Sequence, residues 1–149
     1  MSLKNKLMED MKAAMKDRDN GKLRLSVIRM TRAAIKNIEI DKHKELEDQE
    51  VIDVLAKEVK MRKDSIEEYQ KANRQDVVDT LNQEIAILME YLPEQMSAAE
   101  VRQLVQEAIQ ATGAAGPKEM GKVMGQLMPK VKGRADGKLV NQIVKELLG

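Results

Sequence analysis

Apolar residues recur along this chain three or four positions apart, and nowhere do they alternate residue by residue. That period predicts helices and no sheet. Ser2 stands in N-cap position ahead of a first helix reaching about Arg18, with Leu3, Leu7, Met11, Ala14 and Met15 on one face. Asp19-Asn20-Gly21 reads as a turn, because Asn and Gly tolerate positive φ. Leu23, Val27, Met30, Ala34 and Ile38 mark a second helix that weakens between Asp41 and Lys44. A third, from about Asp48 to Ala72, carries Val51, Leu55, Val59, Ile66 and Tyr69; Arg62 interrupts the stripe and is expected to snorkel out of it. Asn73 ends that helix. A fourth, about Asp76 to Tyr91, presents Val77, Leu81, Ile85, Leu88 and Leu92.

Leu92-Pro93 interrupts the pattern, since a residue before proline is pushed away from helical φ/ψ. A domain boundary is expected here, dividing an elongated four-helix domain, residues 1–92, from a small three-helix domain, residues 97–149. Ser97 and Glu100 have the spacing of a capping box. The helix they open turns Val101, Leu104, Val105, Ala108 and Ile109 inward and stops at Gly113. Pro117 suits a first helical position, ahead of Met120, Val123, Met124 and Leu127. Gly133 can end that piece in a left-handed conformation, although Pro129 argues for an earlier end. Asp136 is placed to cap a last helix bearing Leu139, Val140, Ile143, Val144 and Leu147. The fold class is therefore all-α.

Composition narrows the picture. The 149 residues contain no Cys, Phe or Trp and two Tyr, so the core is aliphatic, and the eleven Met serve as adaptable filler. Without Cys there is no disulfide framework, thiolate metal site or Cys nucleophile. No apolar run approaches membrane-spanning length, and MSLKNKLMED lacks the apolar segment of a secretory signal, so a cytoplasmic protein is expected.

The net charge of +1 hides a segregation: residues 1–44 carry +6 and residues 45–92 carry −7. Pairing between these basic and acidic helices is the simplest expectation. Residues 116–149 are again basic, at +4. Lys130, Lys132 and Arg134 fall at the turn between the last two helices, and Lys122 and Lys138 flank it. A helix N-terminus follows, adding partial positive charge, so phosphates suit this region. With almost no aromatic residues to stack on bases, recognition would go through the backbone shape of a folded RNA.

Catalytic chemistry is poorly represented. His43 is the sole histidine and reads as a surface residue in IDKHKELED, without the converging partners a metal needs. Asp53, Glu58, Glu67 and Glu68 on the third helix read as a solvated face. The four Ser sit at caps or within helices with no base at a recognisable spacing, and the glycines of 116–125 match no nucleotide-phosphate loop. Neither a cofactor nor an enzymatic activity is indicated.

The closing phrase MGKVMGQLMPKVKGRADGKLVNQIVKELL resembles the C-terminal tail domain of the B subunit of the tRNA-dependent Asp/Glu amidotransferase, GatB, and more closely the stand-alone YqeY proteins that share this tail. RLSVIRMTRAAIKNIEI and EYLPEQMSAAEV are similar to YqeY proteins as well, so the resemblance extends over the whole chain. In the amidotransferase the tail holds the tRNA away from the reaction centre. The resemblance therefore implies a non-catalytic accessory module that binds tRNA or assists amidation, with Lys122, Lys130, Lys132, Arg134 and Lys138 as the phosphate contacts. A protein-interaction adaptor is the competing reading: Gly121 and Gly125, four apart and near Met120, Met124 and Met128, would offer a partner helix an adaptable groove.

Overall fold

Ser2 opens the first helix in the way its position implies: its Oγ accepts the N–H of Asn5 at 3.1 Å. The computed structural model describes residues 1–149 and contains seven α-helices with no strand. They are α1 Leu3–Lys16, α2 Lys22–Lys42, α3 Asp48–Lys71, α4 Gln75–Met89, α5 Ala98–Thr112, α6 Met120–Val131 and α7 Gly137–Leu148. Short 3-10 turns at Arg18–Gly21 and Pro117–Glu119 lead into α2 and α6. The chain forms two compact units, Met1–Leu92 and Pro93–Gly149.

In the first unit α1 packs on α2 and α3 on α4, with α2 touching both helices of the second pair. Leu7, Val27, Ile28, Val51, Leu55 and Leu88 make the centre of an aliphatic core. Backbone ends are tied to carboxylates. The Leu3 N–H donates to Asp48 Oδ1 at 3.0 Å, which joins the start of α1 to the start of α3. Glu39 accepts the Leu46 N–H at 2.8 Å and Lys4 Nζ at 2.6 Å. Glu47 and Glu50 form a reciprocal capping box at the start of α3. Tyr91, 5% exposed, donates its hydroxyl to the Asp10 carboxylate, and Lys6 Nζ lies 5.5 Å from its ring centroid.

Several sequence expectations need correction. The left-handed residue of the first connection is Arg18, at φ 51°, whereas Gly21 has φ −95°. Gly21 is needed for closeness rather than for backbone freedom, because an added Cβ would fall 2.2 Å from Ala14 O. The buried arc of α2 is Val27, Ile28, Thr31 and Ile35, and Met30 is 51% exposed. Contact with both α1 and the α3–α4 pair widens and turns that arc, and Thr31 enters it by donating Oγ1 to Val27 O at 2.9 Å. Arg62 does not snorkel; it is 6% exposed. Its guanidinium meets Glu58 at 2.8 Å, one turn earlier, and Glu84 on α4 at 3.7 Å. Glu58 accordingly faces this pair and leaves the solvated face. The expected pairing of basic and acidic halves is local: Arg24 reaches Glu90, and Lys42 and Lys44 reach Glu50, but Lys4 turns to Glu39 within its own half.

The second unit is three helices around Val101, Val105, Val123, Leu127, Val140 and Val144. Ser97 Oγ accepts the Glu100 N–H at 3.2 Å, and Gly113 ends α5 with φ 66°. Pro129 lies inside α6 and does not end it. Its ring removes one N–H near the helix end, while Leu127 and Val131 on the buried face hold the last turn in place. Arg102 on α5 pairs with Glu146 on α7 at 2.8 Å.

Candidate nucleic-acid interface

The five basic residues singled out in the sequence lie along α6, the turn after it and the start of α7. Lys122 is exposed in the first half of α6; Lys130 is exposed in its last turn. They stand eight residues apart, or about 12 Å along the axis. That exceeds the ~8 Å over which charge acts at physiological ionic strength. Lys132 follows as the exposed C-cap, Arg134 is half-buried in the turn, and Lys138 is exposed on the first turn of α7. The turn thus gathers Lys130, Lys132, Arg134 and Lys138, and leaves Lys122 as an outlying contact. An extended polyanion suits that arrangement better than a single phosphate.

Backbone conformation explains how the turn is made. Gly133 has φ 75°, in the left-handed region that favours glycine. Both the Arg134 and Ala135 N–H groups donate to Val131 O, at 2.9 and 3.0 Å, closing the end of α6. Asp136 then caps α7, accepting the Lys138 N–H at 2.9 Å. This carboxylate sits where a phosphate would exploit the helix N-terminus, so the partial positive charge there is already answered. Attraction for an anion comes from the side-chain cations.

One part of the site escaped the sequence reading. The segment after Pro93 lies on the turn and is bonded to it residue by residue. Arg134 Nε donates to Glu94 O at 3.1 Å, and the Met96 N–H donates to Arg134 O at 2.8 Å. Gln95 Nε2 donates both to Gly133 O at 2.9 Å and to Pro93 O at 2.8 Å. The Leu-Pro-Glu-Gln phrase stands out in the sequence as a junction, but nothing in it points to a partner some 40 residues on.

The face of α6 carrying Gly121 and Gly125 is exposed, and a Cβ added at either glycine would meet nothing within 4 Å. Met128 beside it is 37% exposed, whereas Met120 and Met124 pack against the core. His43 is the left-handed C-cap of α2, at φ 53°, and its side chain is exposed.

Comparison with known proteins places this geometry. The family model described as Yqey-like protein matches residues 4–148. The chain belongs to that family. Within this Yqey-like sequence, 46 residues are 44% identical to the E-type subunit of the glutamyl-tRNA(Gln) amidotransferase of Thermococcus sibiricus, covering 31% of the chain and 7% of that protein. Its namesake from Thermococcus gammatolerans is 41% identical over 54 residues, covering 36% of the chain and 9% of the relative. The Yqey-like chain thus spans less than a tenth of the length of these relatives. No helix in it is long and apolar enough to cross a membrane.

Proposed function

We propose that this Yqey-like protein is a non-catalytic, cytoplasmic tRNA-binding module that assists tRNA-dependent amidation. Its C-terminal residues 97–149 serve as the amidotransferase-tail-like domain. The observation that carries the reading is the kinship with proteins named for glutamyl-tRNA(Gln) amidotransferase. The basic turn supports it: Lys130, Lys132, Arg134 and Lys138 gather around one connection, with Lys122 further along α6. These cations address phosphates, which fix position and orientation without reading sequence. The shortage of aromatic side chains directs recognition toward the shape of a folded RNA.

The test is binding of folded tRNA as a function of salt. Lys122→Ala and Lys130→Ala are the clean variants, because Arg134 also carries a bond to the backbone of Glu94. Each should weaken binding to every folded tRNA about equally. Each should also lower the magnitude of the slope of log affinity against log salt by ~0.7–0.9 per lost contact. Unchanged affinity and slope in the double variant would refute the reading. The exposed strip of Gly121, Gly125 and Met128 supports the competing reading, an adaptor for a partner helix. Salt-insensitive capture of one protein, abolished by Gly125→Leu and untouched by Lys130→Ala, would favour it.

A further inference from the structure

The segment Glu94–Met96 does more to the basic turn than cover it. Three consecutive residues each make a hydrogen bond to the turn, and all three bonds converge on Arg134 or on the peptide group before it. Gln95 holds the Gly133 carbonyl, which fixes the plane of the peptide leading into Arg134. The Met96 N–H holds the Arg134 carbonyl, which fixes the peptide leading out. The Glu94 carbonyl takes Arg134 Nε. Of the five N–H donors of a guanidinium, this uses the one on Nε and leaves the outer edge, Nη1 and Nη2, as the two-donor fork that matches a phosphate. A long, flexible side chain is thereby restrained at its root and along its length before any ligand arrives.

We propose that Gln95 is a positioning residue for anion binding at this turn, and that closure of Glu94–Met96 on the turn is coupled to its occupancy. This rests on the reading of the turn as a phosphate-binding site. Ordering Arg134 beforehand removes part of the entropic cost that binding would otherwise carry. Coupling is reciprocal: if the closed segment raises affinity for the ligand, the ligand holds the segment closed. Gln95 is exposed and uncharged, so it can influence affinity without contributing to the electrostatic attraction.

The experiment uses the full chain, a folded tRNA transcript as probe, and two variants. Gln95→Ala removes the amide, and Gln95→Met keeps the length of the side chain without a donor. Hydrogen exchange at the Met96 amide reports closure, and a thermal melt confirms that each variant is folded. In the unaltered protein, tRNA should slow exchange at Met96. Both variants should exchange faster there and bind tRNA about three- to tenfold more weakly, the loss expected for one hydrogen bond's worth of ordering. Their salt slope should be unchanged, because no phosphate contact is lost. Faster exchange with undiminished affinity would overturn the inference while leaving the phosphate reading intact, and so would exchange that neither variant alters. A shallower salt slope would show Gln95 meeting the RNA itself, which overturns a positioning role. A flat response to Lys130→Ala and Lys122→Ala in the same assay would instead remove the underlying reading.

Discussion

Two glycines in this protein should answer the same substitution with opposite signs. At Gly21 an ideal Cβ would lie 2.2 Å from Ala14 O and 2.9 Å from both the carbonyl carbon and Cα of Ala14. All three atoms are backbone, so no side chain can swing aside. An ordinary carbon-to-oxygen approach of ~3.3 Å requires the start of α2 and the end of α1 to part by about 1 Å. A gap of that size forfeits up to about half of the dispersion attraction between the surfaces it opens. Overpacking of this kind costs ~1–3 kcal/mol, and a backbone clash belongs at the upper end. The backbone itself, at φ −95°, accepts alanine without strain. The unfolded chain therefore loses entropy, which returns ~0.4–1 kcal/mol. Gly21→Ala should destabilise the first unit by about 2 kcal/mol, or about 8–16 °C in melting temperature for a unit of this size. At Gly125, inside α6 with nothing within 4 Å of an added Cβ, alanine should instead stabilise by ~0.5–1 kcal/mol. The protein supplies its own reporter, because both tyrosines, Tyr69 and Tyr91, lie in Met1–Leu92 and there is no Trp or Phe. Tyrosine fluorescence follows the first unit, and circular dichroism follows both. An unchanged tyrosine transition in Gly21→Ala would refute the close approach of α1 and α2.

Two further predictions concern pH. Glu39 is held below the ordinary carboxylate range, first by Lys4 and then by the Leu46 N–H. Its stabilisation is present above about 4.5, the unfolded value, and is lost as pH falls through the lowered folded value. Glu39→Gln should therefore flatten the acid limb of the stability profile, read by urea denaturation between neutral pH and pH about 3. Tyr91 is pushed well above its ordinary pKa, by burial first and then by the bond to Asp10. The neutral phenol is favoured in the fold, so its contribution is complete below pH 10 and declines as pH rises toward the raised value. Tyr91→Phe should cost ~1–2 kcal/mol at neutral pH, and the gap between variant and unaltered protein should narrow above pH 10.

The helical class was legible because apolar spacing reports it directly, and the caps were legible because they are local. Ser2, Ser97 and Asp136 each bond an N–H two or three residues away. Gly113 and Gly133 take the left-handed conformation that marks a helix end. Whatever depends on a second element was not legible. The buried arc of α2 is set by three neighbouring helices, Gly21 by an oxygen seven residues back, and Arg62 by Glu84 on the next helix. The basic turn followed the same rule. Its five cations could be read from composition, but the bonds from Glu94, Gln95 and Met96 required the fold.

The enclosed charge of Arg62 bears on how α3 and α4 find each other. The two helices meet along aliphatic faces, and sliding one past the other by a turn, about 5.4 Å, would again set aliphatic groups against aliphatic groups. Such a slip would carry Arg62 away from Glu84 and leave a charge among apolar side chains, at a cost of ~3–5 kcal/mol. The ion pair thereby penalises the misaligned hairpin heavily, although it adds little to the strength of the aligned one. Replacing Arg62, Glu58 and Glu84 together by well-packed apolar residues would leave a hairpin no weaker than this one, but free to settle in more than one alignment. What the buried charges contribute is accuracy of assembly.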